Sequence, residues 1–328
     1  MTLWPLLLLA AAVPAPDKIV FDTDCGFFGD DGAALAMVLR SPGKVQVSAI
    51  TAVSGNVWAA ESAGYLTEIL ALLGHPDIKP AVGAQMPLIH SADMAKLEGP
   101  LEFQGAFGNP VKFAPPGQRA ALDALAAAVR HNPGEITILA LGPMTNVAML
   151  LRLHPDLEGK IKRIVFMGGN VHVAGNASAA AEFNFWFDPE AAQAVLRSRI
   201  PEKVMFPLDI CNRAVLTKAR FDEIVAAHTP ITERYKEDYG LRYPGFLKNP
   251  DATGFLWDEL AAAWLLDTGF VTKSEIAWLD IDTRFGKTYG ATVPLERRLA
   301  PEATPVRVML DLNYPRLWEL YKRLLTAP

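Results

Sequence analysis

Lys18-Ile19-Val20-Phe21-Asp22-Thr23-Asp24-Cys25-Gly26-Phe27-Phe28-Gly29-Asp30-Asp31, followed by the apolar, alanine-rich run Gly32 to Leu39, decides the fold. Ile19 to Phe21 reads as a short buried strand, Cys25 to Gly29 as a glycine-containing turn, and Ala33 to Arg40 as the helix that follows. Asp22, Asp24, Asp30 and Asp31 therefore crowd one strand-to-helix turn. Like charges packed so tightly repel unless a cation or the hydroxyl groups of a ligand answer them. Capping of the helix by Asp30 or Asp31 is the plainer alternative, but one cap accounts for one Asp.

Outward from that turn the pattern repeats. Lys44 to Val53 reads as a strand that ends in Ser54-Gly55-Asn56, Glu61 to Leu73 as an amphipathic helix closed by Gly74, and Ile78 to Gly83 as a short strand. A long Pro/Gly-rich loop, Ala84 to Pro116, carries Phe103, Phe107 and Asn109, and loops of that length are more often functional than decorative. Ala120 to Asn132 predicts a helix, Glu135 to Leu141 a strand running into Gly142-Pro143-Met144-Thr145-Asn146, and Ile161 to Met167 another strand. Asp188-Pro189-Glu190 starts a helix with an N-cap and a first-turn proline, and Lys203 to Leu208 is a strand ending at Asp209. Phe221 to Leu247 is charged and helical, a solvated surface pair or a flap, and Ile276 to Val308 suggests an edge hairpin before a closing helix from Tyr314. Strand alternating with helix predicts a single α/β domain, residues 17–328, on a mostly parallel, doubly wound sheet with helices on both faces. In such sheets ligands bind along the carboxyl ends of the strands, so the polar residues there converge on one cleft.

The chain has 328 residues, 51% apolar and 20% charged, with a formal net charge of -5 and no basic run, which gives nucleic acid or an anionic membrane no foothold. Cys25 and Cys211 are too few for a disulfide scaffold and lack metal spacing, and Cys25 inside the acidic turn is a poor nucleophile because the carboxylates disfavour its thiolate. Residues 1–16 are apolar, end in small residues and are too short to span a bilayer, so they predict a signal peptide and an exported protein, with a cytoplasmic location as the alternative.

Asp22, Asp24, Asp30, Asp31, Asn56, Asn176, Glu182, Asn184, Asp209 and Asp258 form an inventory rich in oxygen donors and poor in His and Cys. That favours a hard cation such as Ca²⁺ and a polyhydroxylated ligand gripped by carboxylates and amides. A carboxylate beside an activated water suits hydrolysis at the anomeric carbon of a sugar.

Asp22-Thr23-Asp24 with Asp30-Asp31 resembles the amino-terminal signature of the inosine-uridine preferring nucleoside hydrolases, in a variant whose turn is two residues longer. Val53-Ser54-Gly55-Asn56-Val57, Leu141-Gly142-Pro143-Met144-Thr145-Asn146, Gly175-Asn176 leading to Ala181-Glu182-Phe183-Asn184 and Asp188-Pro189-Glu190, and Trp257-Asp258 match further motifs in order. The resemblance implies a calcium-dependent N-glycosyl hydrolase that splits ribonucleosides into ribose and free base, working as a homo-oligomer, dimer or tetramer. By it Asp24, Asp31, Asp258 and the carbonyl of Leu141 hold the calcium and Asp24 is the general base for the activated water. Asp30, Asn56, Asn176, Glu182 and Asn184 hold the ribose, Asp22 lies behind the metal, and the reaction inverts the anomeric carbon.

Two departures bear on the base. Many family members place a His immediately before the late metal-binding Asp and another in the loop that here reads Leu101 to Phe107, whereas this chain has Trp257 and no His at those places. Trp257 resembles the purine-specific branch, where an indole stacks on the base, so purine nucleosides are expected. Simple core packing is the alternative for Trp257, and loop anchoring for Phe103, Phe107 and Trp186. His90, His172 and His228 read as solvent-exposed residues without a role, and Phe27-Phe28 as residues that narrow the pocket. The rival readings are a non-catalytic exported ribose- or nucleoside-binding protein and a haloacid dehalogenase-type phosphatase, whose fold also opens on a strand and Asp-x-Asp.

Overall fold

Alternation along the first strand, β1 (Asp17–Thr23), fixes the layers: Ile19 and Phe21 enter one hydrophobic layer and Val20 the other, because successive strand side chains point to opposite faces. A computed structural model of the chain describes residues 15–98, 104–110, 120–297 and 302–327. The predicted signal peptide, apart from its last two residues, and Phe103 lie outside them. Among the described residues no helix is long and apolar enough to cross a membrane.

The other strands are β2 (Val45–Ala52), β3 (Ala81–Val82), β4 (Ile136–Ala140), β5 (Arg163–Met167), β6 (Lys203–Phe206), β7 (Val215–Thr217), β8 (Thr253–Phe255), β9 (Val271–Ile281), β10 (Thr292–Leu295) and β11 (Pro305–Leu312). Nine of them form one sheet in the order β10-β9-β11-β6-β5-β4-β1-β2-β3, and β7 with β8 makes a separate small pair. From β3 to β6, and on to β11, neighbouring strands run parallel, and β9 and β10 run antiparallel at the edge. The expected edge hairpin is thus β9 and β10, whereas Val308 belongs to β11, which inserts between β9 and β6. Helices Asp30–Leu39, Ala59–Leu72, Asp258–Leu266 and Tyr314–Thr326 cover one face, and Ala120–His131, Thr145–Leu153 and Pro189–Leu196 the other. The chain runs outward from β1 through β2 to β3 and then returns to β4 on the opposite side of β1. That reversal opens a crevice beyond the carboxyl ends of β1 and β4, the place where open α/β sheets bind ligands.

Three stretches differ from expectation. The strand predicted over 78–83 shortens to Ala81–Val82, and the long loop after it holds a helix, Ala92–Leu97, and a tight turn, Gly105–Gly108. The charged region after residue 217 is not merely a solvated pair. Helices Lys218–Val225, Pro230–Arg242 and Pro244–Lys248 bury Phe221, Tyr235, Tyr239 and Phe246 against one another.

Phe166 is fully buried in the layer opposite the crevice helices and stacks on Phe185 at 6.2 Å. Phe166→Ala leaves a cavity there, and the expected cost is about 3–5 kcal/mol, read as a lower urea midpoint with an unchanged slope.

Candidate active site

The acidic turn leaves β1 at Thr23 and enters the helix Asp30–Leu39 at its first two residues. The helix is capped by Gly29 without a side-chain hydrogen bond, so the capping alternative accounts for neither Asp30 nor Asp31. Asp24 and Asp31 are buried, as is Asp258 at the start of the helix Asp258–Leu266. Asp30, Asp31 and Asp258 each offer an oxygen within 4.8 Å of the others. Asp24 faces the same cluster from β1: its Oδ2 accepts the Asn56 backbone N–H at 2.6 Å, while its buried Oδ1 has no partner. Asp31 accepts hydrogen bonds from the Thr23 hydroxyl and from Asn56 Nδ2.

Electrostatics bear the mark of this crowding. Burial, then the charges of Asp30 and Glu182, push the Asp24 carboxyl up to about 7. Burial and neighbouring Asp24 and Asp30 raise Asp31 well above the carboxylate range, and burial with Asp31, Asp30 and Asp24 does the same to Asp258. A cluster of hard oxygen donors with an orphaned buried oxygen fits a divalent cation of the calcium type. Cys25 is buried beside it with its thiol pushed up by burial and by Asp31 and Asp30, which removes it as a nucleophile.

Asp22 stands behind the cluster. Its Oδ1 accepts from Thr51 at 2.5 Å and from Asn146 Nδ2 at 2.7 Å, and burial raises its carboxyl to about 6. Asn146 also donates to the Ala52 carbonyl and accepts from the Ala84 N–H, tying the ends of β1, β2 and β3 together. Asp209 binds the backbone N–H groups of Val171 and His172 at 2.8 Å each and is absent from the cavity wall.

Glu182 caps the short helix Phe183–Phe187. Its oxygens accept the N–H groups of Asn184, Gly169 and Phe185 at 2.9, 2.7 and 3.2 Å, and burial still lifts its carboxyl to about 7. Asn184 spends its amide hydrogens on the carbonyls of Leu141 at 3.0 Å and Met167 at 3.2 Å, which leaves its carbonyl oxygen for a ligand. Leu141 keeps a second lone pair on its carbonyl. Asn176 accepts the Phe183 N–H at 2.9 Å through its Oδ1, leaving its NH₂ as the free donor.

A cavity of about 580 Å³ is lined by Asp30, Asn56, Leu141, Asn176, Glu182, Asn184 and Asp258 together with Phe27, Arg242, Tyr243 and Trp257, while Asp24 and Asp31 are not among its lining residues. Trp257 is half-buried and faces this cavity, so packing alone does not describe it. Phe27 lines the same wall, 6.1 Å from Tyr243, whereas Phe28 is fully buried against Tyr235 with its N–H held by Asp238 at 2.7 Å. One aromatic of the lengthened turn shapes the pocket and the other anchors it. Arg242 and Tyr243 carry no sequence motif; only the docking of the helix Pro230–Arg242 brings them here.

Among the described residues no histidine lines the cavity. His90 is not exposed as expected: it is buried, edge-on to Phe107, Trp186 and Tyr289 at about 5 Å, with Nδ1 2.9 Å from the Trp186 carbonyl oxygen. Phe107 and Trp186 are loop anchors, with Phe107 stacked 4.4 Å from Phe187.

A model of the inosine-uridine preferring nucleoside hydrolase family matches residues 19–319. The pyrimidine-specific ribonucleoside hydrolase RihA of Salmonella agona is 35% identical over 303 residues, covering 90% of this chain and 94% of that protein. Among solved structures, an inosine-guanosine nucleoside hydrolase is similar with a TM-score of 0.77 at 25% identity, over 95% of this chain and 99% of that one. A plant nucleoside hydrolase is similar with a TM-score of 0.76 at 25% identity, over 95% and 100%.

Space around Asp24 is tightly filled. A Cβ on Gly55 would stand 2.0 Å from Asp24 Oδ2, and one on Gly142 2.9 Å from Asp24 Cγ. Gly55→Ala therefore displaces the carboxylate, and divalent-cation affinity measured by calorimetry is expected to fall by about tenfold to a hundredfold while the far-ultraviolet circular dichroism stays unchanged.

Proposed function

The chain belongs to the inosine-uridine preferring nucleoside hydrolase family and is an N-glycosyl hydrolase of ribonucleosides, and on that premise we propose that it is calcium-dependent and favours purine nucleosides. Membership of an enzyme family sets aside the non-catalytic binding protein, and the whole-chain match sets aside the phosphatase. The observation that carries the calcium reading is the orphaned Oδ1 of buried Asp24 beside the oxygens of Asp30, Asp31 and Asp258. Asp24, Asp31, Asp258 and the Leu141 carbonyl are the proposed ligands, with Asp30 close enough to share the ion or a ribose hydroxyl. When bound, calcium supplies a Lewis acid that acidifies the attacking water and grips the sugar.

The chain's own residues do the rest. Asp24 accepts the proton of the water through Oδ1, the one oxygen its neighbours leave unengaged. Asp30, Asn56, Asn176, Glu182 and Asn184 hold the ribose, and their fixed carboxylates and amide carbonyls face the positive charge that develops on the ring as the base departs. Water arriving on the face opposite the base gives inversion.

The purine reading rests on Trp257 in the cavity wall with Phe27 and Tyr243, a surface broad enough to stack a bicyclic base. A pyrimidine preference is the second reading, favoured by the curated relative named pyrimidine-specific. A panel of inosine, guanosine, adenosine, uridine and cytidine, assayed for free base with and without a chelator, decides between them. We expect purines to be cleaved faster, Trp257→Ala to lower kcat/KM for them by about tenfold to a hundredfold, and Asp24→Ala to abolish turnover. Faster cleavage of pyrimidines overturns the base preference alone, and full activity in chelator overturns the calcium.

Proton competition gives an independent check. The Asp24 carboxyl, raised to about 7 in the metal-free fold, stabilises that fold only while protonated, so this contribution is lost as pH rises through about 7. Calcium requires the ionised form. The increase in Tm produced by saturating calcium is therefore expected to grow between pH 5.5 and pH 8, measured by differential scanning fluorimetry; a shift that shrinks with pH overturns the assignment of these carboxylates to the ion. By the family resemblance the enzyme is proposed to be a homo-oligomer, and by the apolar segment 1–16 to be exported.

A further inference from the structure

A ribonucleoside leaves its furanose ring in three directions: the base at C1′, the cis-diol at C2′ and C3′, and the CH₂OH arm at C4′. In the cavity the aromatic wall of Phe27, Tyr243 and Trp257 suits the base, and the acidic cluster with Asn56 suits the diol. With the aromatic side chains matched to the base and the acidic cluster to the diol, Asn176 and Glu182 are among the lining polar groups left for the third arm.

Asn176 also lines a second, open groove of about 630 Å³, walled by Leu97, Ala177, Ala179 and Phe285. Leu97 is 77% exposed and Phe285 47% exposed, two large apolar side chains left in water beside the mouth of a polar site. Phe285 is held edge-on to Tyr289 at 5.8 Å, and Gly175 and Ala177 are pinned by backbone bonds to Ala179 and Ala181, so the walls stand on ordered elements. The described lining of the groove carries one carboxylate and one cation, so it has no net charge to attract an anion. Glu98 lines it, its carboxylate accepting the Trp186 indole N–H at 2.6 Å, and among the described residues Lys287 is the one lining cation, standing exposed at the rim.

We propose that this groove is a second subsite, continuous with the nucleoside cavity at Asn176, that takes an apolar substituent carried on the 5′ oxygen of the ribose. The inference rests on the nucleoside hydrolase reading. Asn176 offers its free NH₂ to the 5′ oxygen, which still accepts a hydrogen bond when that oxygen is an ether, and the substituent beyond it covers Leu97 and Phe285. The enzyme thus hydrolyses 5′-alkylated or 5′-arylated ribonucleosides as well as free ones, with the same N-glycosidic bond broken and no change at the 5′ position.

The test takes whichever of inosine and uridine the calcium-loaded enzyme cleaves faster and compares it with its 5′-O-benzyl ether and its 5′-monophosphate. The ether is expected to show a KM at or below that of the parent, with the monophosphate the poorest of the three. Leu97→Ser and Phe285→Ser, both outside the nucleoside cavity, are expected to raise KM for the ether by about threefold to tenfold and to leave the parent unchanged. An ether that resists cleavage while its parent turns over overturns the subsite, as does a monophosphate cleaved better than the ether, or a pair of substitutions that shift both substrates alike or neither. If neither parent releases base with or without calcium, the hydrolase reading itself falls, and the subsite with it.

Discussion

Repulsion among buried carboxylates is the interaction on which the rest of this structure depends. Asp24, Asp31 and Asp258 are each nearly inaccessible to water, and each is made harder to ionise by burial first and by its neighbours second. A protein gains nothing from such a cluster as packing, because an apolar side chain of the same size would fill the space without the penalty of desolvating charge. As a set of anions the cluster calls for a cation to answer it.

Much of the surrounding architecture supplies that cluster with shape. The reversal of strand order beside β1 brings the ends of β1 and β4 together and opens the crevice, and Asn146 bonds across the ends of the strands so that the loops leaving them cannot drift. Gly55 and Gly142 then yield their side-chain volume to Asp24. Glu182 shows the same economy: its two oxygens are fixed by three backbone N–H groups of its own loop and helix, so it is oriented before any substrate arrives, which is what preorganised electrostatics require.

The strand-turn-helix opening, the alternation of elements and the order of acidic and amide motifs were all legible in the sequence, because they depend on local periodicity and on residue type at strand ends. What stayed hidden depends on contacts between distant segments. Arg242 and Tyr243 sit in a charged helical stretch whose pattern reads as surface, and only its packing through Tyr235 and Tyr239 onto Phe28 and Phe221 carries its end to the cavity. His90 looks like any loop histidine until three aromatic rings close over it. The insertion of β11 between β6 and β9 is likewise a matter of pairing, which a single strand's pattern does not encode.

The two sides of the cavity differ in how they are held, and the difference follows from the chemistry asked of each. The side proposed for the sugar stands on strand ends and on loops locked by buried hydrogen bonds, because charge stabilisation fails if its dipoles can reorient. The side proposed for the base is formed by the lengthened turn, by the end of the helix Pro230–Arg242 and by the residue before Asp258, with the turn and the helix held together by the edge contacts of Phe27 with Tyr243 and of Phe28 with Tyr235 and by the Phe28 N–H to Asp238. Stacking is tolerant of small displacements where hydrogen bonding to a transition state is not. A base wall can therefore change while the carboxylates of the acidic turn are kept, and on the proposed reading Trp257 in the cavity wall would leave this chain relying less on a proton donor at the departing base and more on the electrostatics of the ribose site.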